Sequence, residues 1–271
     1  MTTVHWTRPR RYRSIFISDT HLGFRGARAD FLLDFLRSTE STYLYLVGDI
    51  VDVWEMQRKR LYWPEAHNEV LKEIMAKAAS GTQVIYVPGN HDELLRQYDG
   101  KVIQEVRVHR ETIHETADGR RLLVLHGDQF DTVVQCSPLL AMVGNRAYDW
   151  LLRANHWVNW LRRALGFPYW SLAQYLKHRV KNAVQYISRF EEAVALEARR
   201  RGVDGLVCGH IHRAEITRIN GVLYTNCGDW VESCTALTEA ADGSLNLVQW
   251  TDQARHTVKS WEGEALGEKA A

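Results

Sequence analysis

An α/β fold with parallel strands at its centre is what this 271-residue sequence predicts, and three observations carry that reading. Short runs of β-branched, aromatic and aliphatic residues recur along the chain. Helical periodicity fills the stretches between them. Most of the runs end in a polar cluster, as the carboxyl ends of strands do in open α/β sheets.

The elements follow in order. "RSIFISDTH" (13–21) runs into Asp19 and His21, "TYLYLVGD" (42–49) into Asp49, and "TQVIYVPGNHD" (82–92) into Asn90 and His91. "RLLVLHGD" (121–128) runs into His126 and "GVDGLVCGHIH" (202–212) into His210 and His212. "GVLYTNCGDW" (221–230) follows a turn at Asn220-Gly221. Their length and composition fit buried strands better than helices. "ADFLLDFLRS" (29–38) sets Phe31, Leu32, Phe35 and Leu36 on one helical face. "PEAHNEVLKEIMAKAASG" (64–81) opens near Pro64, carries Val70, Leu71, Ile74 and Ala78 as a stripe, and stops at Gly81.

From about Pro138 to Gly202 the alternation gives way to a nearly unbroken helical block, split by "LGFPYW" (165–170). Its first half repeats apolar residues at helical spacing from Ala147 to Leu165, Trp150 and Trp157 among them. Between Asn145 and Arg189 eight Arg and Lys residues meet one acid, Asp149, a local charge of +7 in a chain of net charge +1. Residues 138–202 are therefore expected as a helical cap inserted into a catalytic domain spanning 10–252, with 253–271 as a C-terminal tail.

Composition narrows the function. A near-neutral chain with 45% apolar residues has ample material for a core and no global attraction to nucleic acid, so no nucleic-acid partner is expected. Cys136, Cys208, Cys227 and Cys234 form no C-x-x-C pair and read as reduced, mostly buried thiols of a cytosolic protein. The N-terminal "MTTVHWTRPRRYRS" has no apolar signal region, and no run of about 18 apolar residues exists to span a membrane.

Each polar cluster alone has an ordinary reading. D-x-H arises by chance, GNHD serves as a turn, His126 as an interior histidine, and GHIH as a histidine-rich loop. Together they offer oxygen and imidazole donors without sulfur, a set suited to Mn²⁺, Fe²⁺ or Zn²⁺. The donors exceed the needs of one ion. Two close dications repel, so an anionic bridge such as Asp49 is required between them.

In this order the pieces D-x-H, GD-x-x-D, GNHD, H and GH-x-H, over residues 14–230, resemble the calcineurin-like metallophosphoesterase superfamily. The resemblance implies a four-layer α/β/β/α sandwich around two mixed sheets, here with a helical insertion. It implies two divalent ions, Mn²⁺ being the first choice and Fe²⁺ or Zn²⁺ the alternatives. Asp19, His21, Asp49 and His212 would hold one ion, and Asp49, Asn90, His126 and His210 the other. His91 would serve the leaving oxygen as a proton donor, with Asp92 orienting it or else capping backbone N–H groups.

"SDTHLG", "GDIVDVWE", "GNHDELL", "LHGDQFD", "GHIHRA" and "CGDWVE" are similar to one branch, the UDP-2,3-diacylglucosamine pyrophosphatases of lipid A synthesis. That branch implies hydrolysis of a lipid-linked nucleotide diphosphate to UMP and a lipid sugar phosphate. It also implies a cytoplasmic enzyme whose basic 145–189 block could touch an anionic membrane face. Arg25, Arg28, Trp54, Arg153 and Trp157 are the candidate substrate contacts. Two departures point to a divergent relative: His91 stands where the branch has Arg, and "HGDQFDTVV" lacks its Cys-Thr-Asp run. A generic phosphodiesterase or phosphomonoesterase acting on nucleotides, nucleic acid or phosphoprotein is the alternative. A non-catalytic metal-binding scaffold would be expected to lack several of the donors retained here.

Overall fold

Residues 9–58, 62–131, 172–251, 255–261 and 268–269 are described in the computed structural model. In chain order their strands are β1 (Arg10–Ile17), β2 (Thr39–Val47), β3 (Gln83–Val87), β4 (Val102–Ile103), β5 (Val106–Val108), β6 (Thr112–Glu115) and β7 (Arg121–Val124). After the helical block come β8 (Gly205–Cys208), β9 (Glu215–Ile219), β10 (Val222–Asn226), β11 (Thr235–Glu239), β12 (Leu245–Trp250), β13 (Arg255–Trp261) and β14 (Glu268–Lys269). The helices are α1 (Ala29–Arg37), α2 (Val53–Arg58), α3 (Glu65–Ala79) and α4 (Leu172–Arg200).

The strands form two mixed sheets. The first runs β13-β12-β11-β1-β2-β3-β5-β4 and the second β14-β9-β10-β8-β7-β6. At the centre of the first, β1, β2, β3 and β5 are parallel. In the second, β7, β8 and β10 are parallel. The expected α/β class with parallel centres and paired mixed sheets holds.

Side-chain alternation explains the layering, because successive strand residues face opposite sides. Ile15, Ile17, Leu44, Leu46, Val84 and Tyr86 pack with Leu32, Phe35 and Leu36 of α1 and with Val70, Ile74 and Ala78 of α3. The intervening Phe16, Tyr45, Val47, Ile85 and Val87 pack with Leu122, Val124, Val207 and Leu223 of the second sheet. The first core is thus helix on sheet and the second sheet on sheet.

Helix α1 has Asp30 in its first turn and Arg37 in its last, matching the helix dipole. Its expected face is buried except for Phe31, which is half-buried with the Arg28 guanidinium 3.9 Å above its ring. Helix α3 starts behind Pro64, as expected, and also buries His67. At the predicted turn, Asn220 and Gly221 have φ of 50° and 82°, the conformation a two-residue hairpin demands.

A polar cluster is sealed between the sheets. Glu239 of β11 accepts from Ser14 Oγ (2.5 Å), His114 Nε2 (2.8 Å), Arg13 Nη1 (2.9 Å) and the Ala117 N–H (2.7 Å). Burial pushes the Tyr45 phenol well above its ordinary value, so it stays protonated, and its Oη meets His114 Nδ1 at 2.9 Å.

The chain divides into two compact units, Met1–Asp128 with Val194–Ala271, and Gln129–Ala193. Within the second unit Tyr186 Oη donates to Asp131 Oδ1 at 2.6 Å, and the Phe130 and Phe190 rings meet edge to face. The first half of the expected 138–202 cap, including Arg153, Trp157 and the apolar stripe, lies outside the described residues. The catalytic domain expected to end at 252 extends further: β13 pairs antiparallel with β12 and buries Trp261. The alternating "RHTVKSW" of this strand was hidden in what reads as a polar tail. Cys208, Cys227 and Cys234 are buried and form no disulfide among the described residues, and Cys136 lies outside them.

Candidate metal centre

Every candidate ligand follows a strand at its carboxyl end: Asp19 and His21 after β1, Asp49 after β2, Asn90 after β3, His126 after β7, His210 and His212 after β8. The first sheet supplies the first four and the second sheet the last three. Asp19, His21, Asp49, His210 and His212 all take left-handed backbone, with φ of 51°, 47°, 53°, 70° and 53°. Asp and His are among the few L-residues that tolerate it. Two glycines are fixed by space. A Cβ on Gly89 would stand 2.2 Å from Asp49 Oδ1, and one on Gly209 2.4 Å from Asp19 Oδ2.

The donors assemble into two adjoining groups, Asp19–His21–His212 and Asp49–His126–His210, each with its ligand atoms within 4.8 Å of one another. His212 Nε2 lies 3.2 Å from Asp19 Oδ1 and 3.3 Å from His21 Nε2. Asp49 Oδ2 lies 3.3 Å from His126 Nε2 and 4.0 Å from His21 Nε2, so this one oxygen faces both groups. That is the position of a bridge.

Each carboxylate is tied by its other oxygen. The His210 N–H donates to Asp19 Oδ2 at 3.0 Å, and the His91 N–H to Asp49 Oδ1 at 2.8 Å. His126 Nδ1 meets the Val47 carbonyl at 3.0 Å and His21 Nδ1 meets Asp52 Oδ2 at 3.0 Å, which leaves Nε2 of both rings for an ion. Asp19 Oδ1, Asn90 Oδ1 and His126 Nε2 are buried without a hydrogen-bond partner, the first despite its approach to His212 and the last despite its approach to Asp49. Buried polar atoms are nearly always satisfied. Three unsatisfied ligand atoms turned toward common ground fit divalent ions.

The electrostatics agree. Burial works to raise the Asp19 carboxyl, but the His212 imidazolium beside it outweighs burial and brings it below the usual range. Asp49 is held far lower still: burial again opposes, and His126 and His21 prevail. In turn burial works against protonating the rings, but Asp49 carries His126 up to about 10 and Asp19 carries His212 up to about 9. Without cations the carboxylates recruit protons onto the imidazoles, so ion binding here would displace protons.

His91 is in neither of these two groups but joins His21 and Asp52 in a third, whose ligand atoms also lie within 4.8 Å of one another. Its Nε2 lies 4.0 Å from Asp49 Oδ2, its ring stands edge-on to His21, and its Nδ1 meets Asp52 Oδ1 at 2.9 Å. Asp92, named as the possible orienter of His91, does not contact it. Its carboxylate accepts from Ile50 N (2.8 Å), Gly89 N (2.6 Å) and Tyr86 Oη (2.6 Å), and so ties the β2 and β3 loops together. The orienter is Asp52, the second acid of "GDIVD", whose two oxygens hold His21 and His91. Asn226 was also missed. Its Nδ2 donates to the Gly209 carbonyl at 2.7 Å and braces the GHIH loop.

Of the substrate candidates, Trp54 is 42% exposed with its ring 5.0 Å from His91, at the edge of the centre. Arg25 lies over the Tyr62 ring at 4.6 Å, and Arg28 pairs with Asp30. Arg153 and Trp157 lie outside the described residues.

Comparison with known proteins bears on this geometry. Residues 12–214 match the family model described as calcineurin-like phosphoesterase. UDP-2,3-diacylglucosamine hydrolase of Neisseria meningitidis serogroup B is 26% identical over 234 residues, 79% of this chain and 88% of that protein. The enzyme of the same name from Xanthomonas axonopodis pv. citri is 28% identical over 247 residues, 85% of this chain and 96% of that protein. A solved phosphoesterase from E. coli aligns with a TM-score of 0.48 at 14% identity, covering 92% of this chain and 97% of that one. A match across most of the chain, taking in every ligand loop from Asp19 to His212, places the chain in the calcineurin-like phosphoesterase family, as a phosphoester hydrolase.

Proposed function

We propose that the chain hydrolyses the diphosphate of UDP-2,3-diacylglucosamine, or a closely related lipid-linked nucleotide diphosphate, to UMP and a lipid sugar phosphate. The observation that carries the reaction type is the pair of donor groups meeting at Asp49 Oδ2, with three buried ligand atoms unsatisfied. The relatives named above support the substrate class.

Asp19, His21, Asp49 and His212 would hold one ion and Asp49, Asn90, His126 and His210 the other, with Mn²⁺ proposed over Fe²⁺ or Zn²⁺. When bound, two such ions supply Lewis-acid charge and lower the pKa of water. The chain's own residues do the rest. Asp52 takes the His91 Nδ1 side of the ring, which directs Nε2 toward the centre. A proton held there is placed to reach a departing oxygen. The His91 N–H meanwhile fixes Asp49, so one residue sets both the bridge and the donor. Trp54 lies tilted against His91 and offers an aromatic wall at the mouth.

No helix among the described residues is long and apolar enough to cross a membrane. Contact with an anionic membrane face through the 145–189 block, at the cytoplasmic side, is part of this proposal and rests on that block's charge of +7.

Incubation of the Mn²⁺-loaded chain with UDP-2,3-diacylglucosamine tests the reading. Release of UMP, lost on chelation, is the expected outcome. Hydrolysis of bis-p-nitrophenyl phosphate with no UMP release would favour the generic phosphodiesterase instead.

A further inference from the structure

A cavity of about 510 Å³ opens in the first unit, away from the metal centre. Among its walls are Arg120, just before β7, Asp204, just before β8, and Arg218 of β9, with Arg199, Val203 and Trp261. His126 and His210 leave β7 and β8 at their other ends. The length of β8 with its flanks separates the two places by roughly 16 Å.

Three of the lining side chains leave a buried donor without a hydrogen bond: Arg120 Nη1, Arg218 Nε and Trp261 Nε1. Trp261 is only 3% exposed. Arg120 is already set in place, since its Nε donates to Asp118 Oδ1 at 2.9 Å and its Nη2 to the Gly243 carbonyl at 2.7 Å. Its guanidinium carbon lies 4.0 Å above the Trp261 ring, and that of Arg218 lies 5.8 Å from the same ring. All three unsatisfied atoms are donors, and two belong to cations. Among the described residues Asp204 is the only acid in the lining, and its Oδ2 already accepts the Arg121 N–H at 2.8 Å. Asp118, outside the lining, pairs with Arg120 Nη2 at 2.7 Å, so Arg218 is a lining cation without an acid partner among the described residues.

From this cavity and its three unmet donors, we infer a second binding site, for the phosphoryl group of a small phosphorylated molecule. A dianionic group with three terminal oxygens can take one donor from each of Arg120, Arg218 and Trp261, where a carboxylate has two oxygens to offer. The exposed Arg199 adds charge at the rim. The cavity exceeds a bare phosphate, and Val203 and Val222 in its lining give apolar surface to the rest of the ligand. None of these residues belongs to the metal centre, so this inference stands or falls apart from the proposed reaction.

The test uses the full chain stripped of metal with EDTA, titrated at fixed ionic strength with inorganic phosphate and, separately, with glucose 1-phosphate. Calorimetry gives the affinity, and the indole N–H resonance absent from Trp261→Phe reports the place. Saturable binding that moves this resonance, and that weakens by about tenfold or more in Arg218→Gln, is expected. Tighter binding of glucose 1-phosphate would identify an organic phosphate as occupant, and equal binding the free anion. Arg199→Gln, a change on an exposed helix position, keeps the question open to measurement if Arg218→Gln fails to fold, and should weaken binding in the same direction. Absence of saturable binding up to on the order of 10 mM, or binding that leaves the Trp261 resonance still, would overturn the site.

Discussion

Asp49 faces both donor groups with one oxygen and takes the His91 N–H with the other, so no neighbour can replace it. Asp49→Ala and His126→Ala should each abolish hydrolysis while circular dichroism keeps the wild-type form. Full activity in either would remove the metal assignment. His91→Ala should retain both ions by elemental analysis and slow turnover by about 10²–10⁴-fold, the usual weight of a proton donor; loss of metal would make His91 a ligand. Asp52→Asn disturbs His21 and His91 together and should weaken ion affinity by about 10–100-fold in a metal-buffer titration. An unaltered affinity would leave Asp52 without its positioning role. The cluster of candidate donors was legible because Asp, Asn and His at strand ends are an uncommon concentration of one chemistry. Asp52 was not, because its work is to aim other rings and no spacing rule marks that. Of the two readings of Asp92, orienting His91 or capping backbone N–H groups, the second holds, because its side chain turns to the backbone of two loops.

Among the elements, strands bounded by apolar alternation and helices with a single apolar stripe were readable at once. The β1, β2 and β3 runs and the α1 and α3 faces stand where periodicity put them. The edge strand β4 escaped notice because it is two residues long and exposed, with Val102 at 63% and Ile103 at 40%. No periodicity can be read from so short a stretch. Phe35 is fully buried between Trp230, Trp250 and the aliphatic face of its own helix, and Phe35→Ala should cost about 3–5 kcal/mol in urea unfolding. The Glu239 cluster makes a prediction about pH. Burial alone would raise this carboxyl, but the bonds from His114, Ser14 and the Ala117 N–H hold it below the usual range. A carboxyl depressed in the folded state contributes stability that is present above its unfolded pKa and lost as pH falls through the folded value. The stability gap between the wild type and Glu239→Gln should therefore be constant above about pH 5 and close progressively below about pH 4.3. A gap that persists unchanged to about pH 3 would show that the ionised form is not what matters.

For the whole molecule, the division of ligands between the sheets means that an ion bound at either group joins β1 or β2 to loops of the second sheet. Saturation with Mn²⁺ should raise the unfolding midpoint over that in EDTA, by about 2.7 kcal/mol at a free concentration one hundred times the dissociation constant. An identical midpoint in both conditions would mean that the ions do not bind the folded state. Which strands pair across long stretches of sequence was not legible, because alternation reports a face and says nothing of a neighbour. One such pairing has a consequence during synthesis. Strand β1 is flanked by β2 on one side and on the other by β11, with Ser14 opposite Glu239. While every residue from Ser18 to Cys234 is being made, the N–H and C=O groups of β1 that will face β11 wait for a mate. The newborn chain thus carries an open seam over that whole interval, and shielding that seam is a task for whatever escorts it.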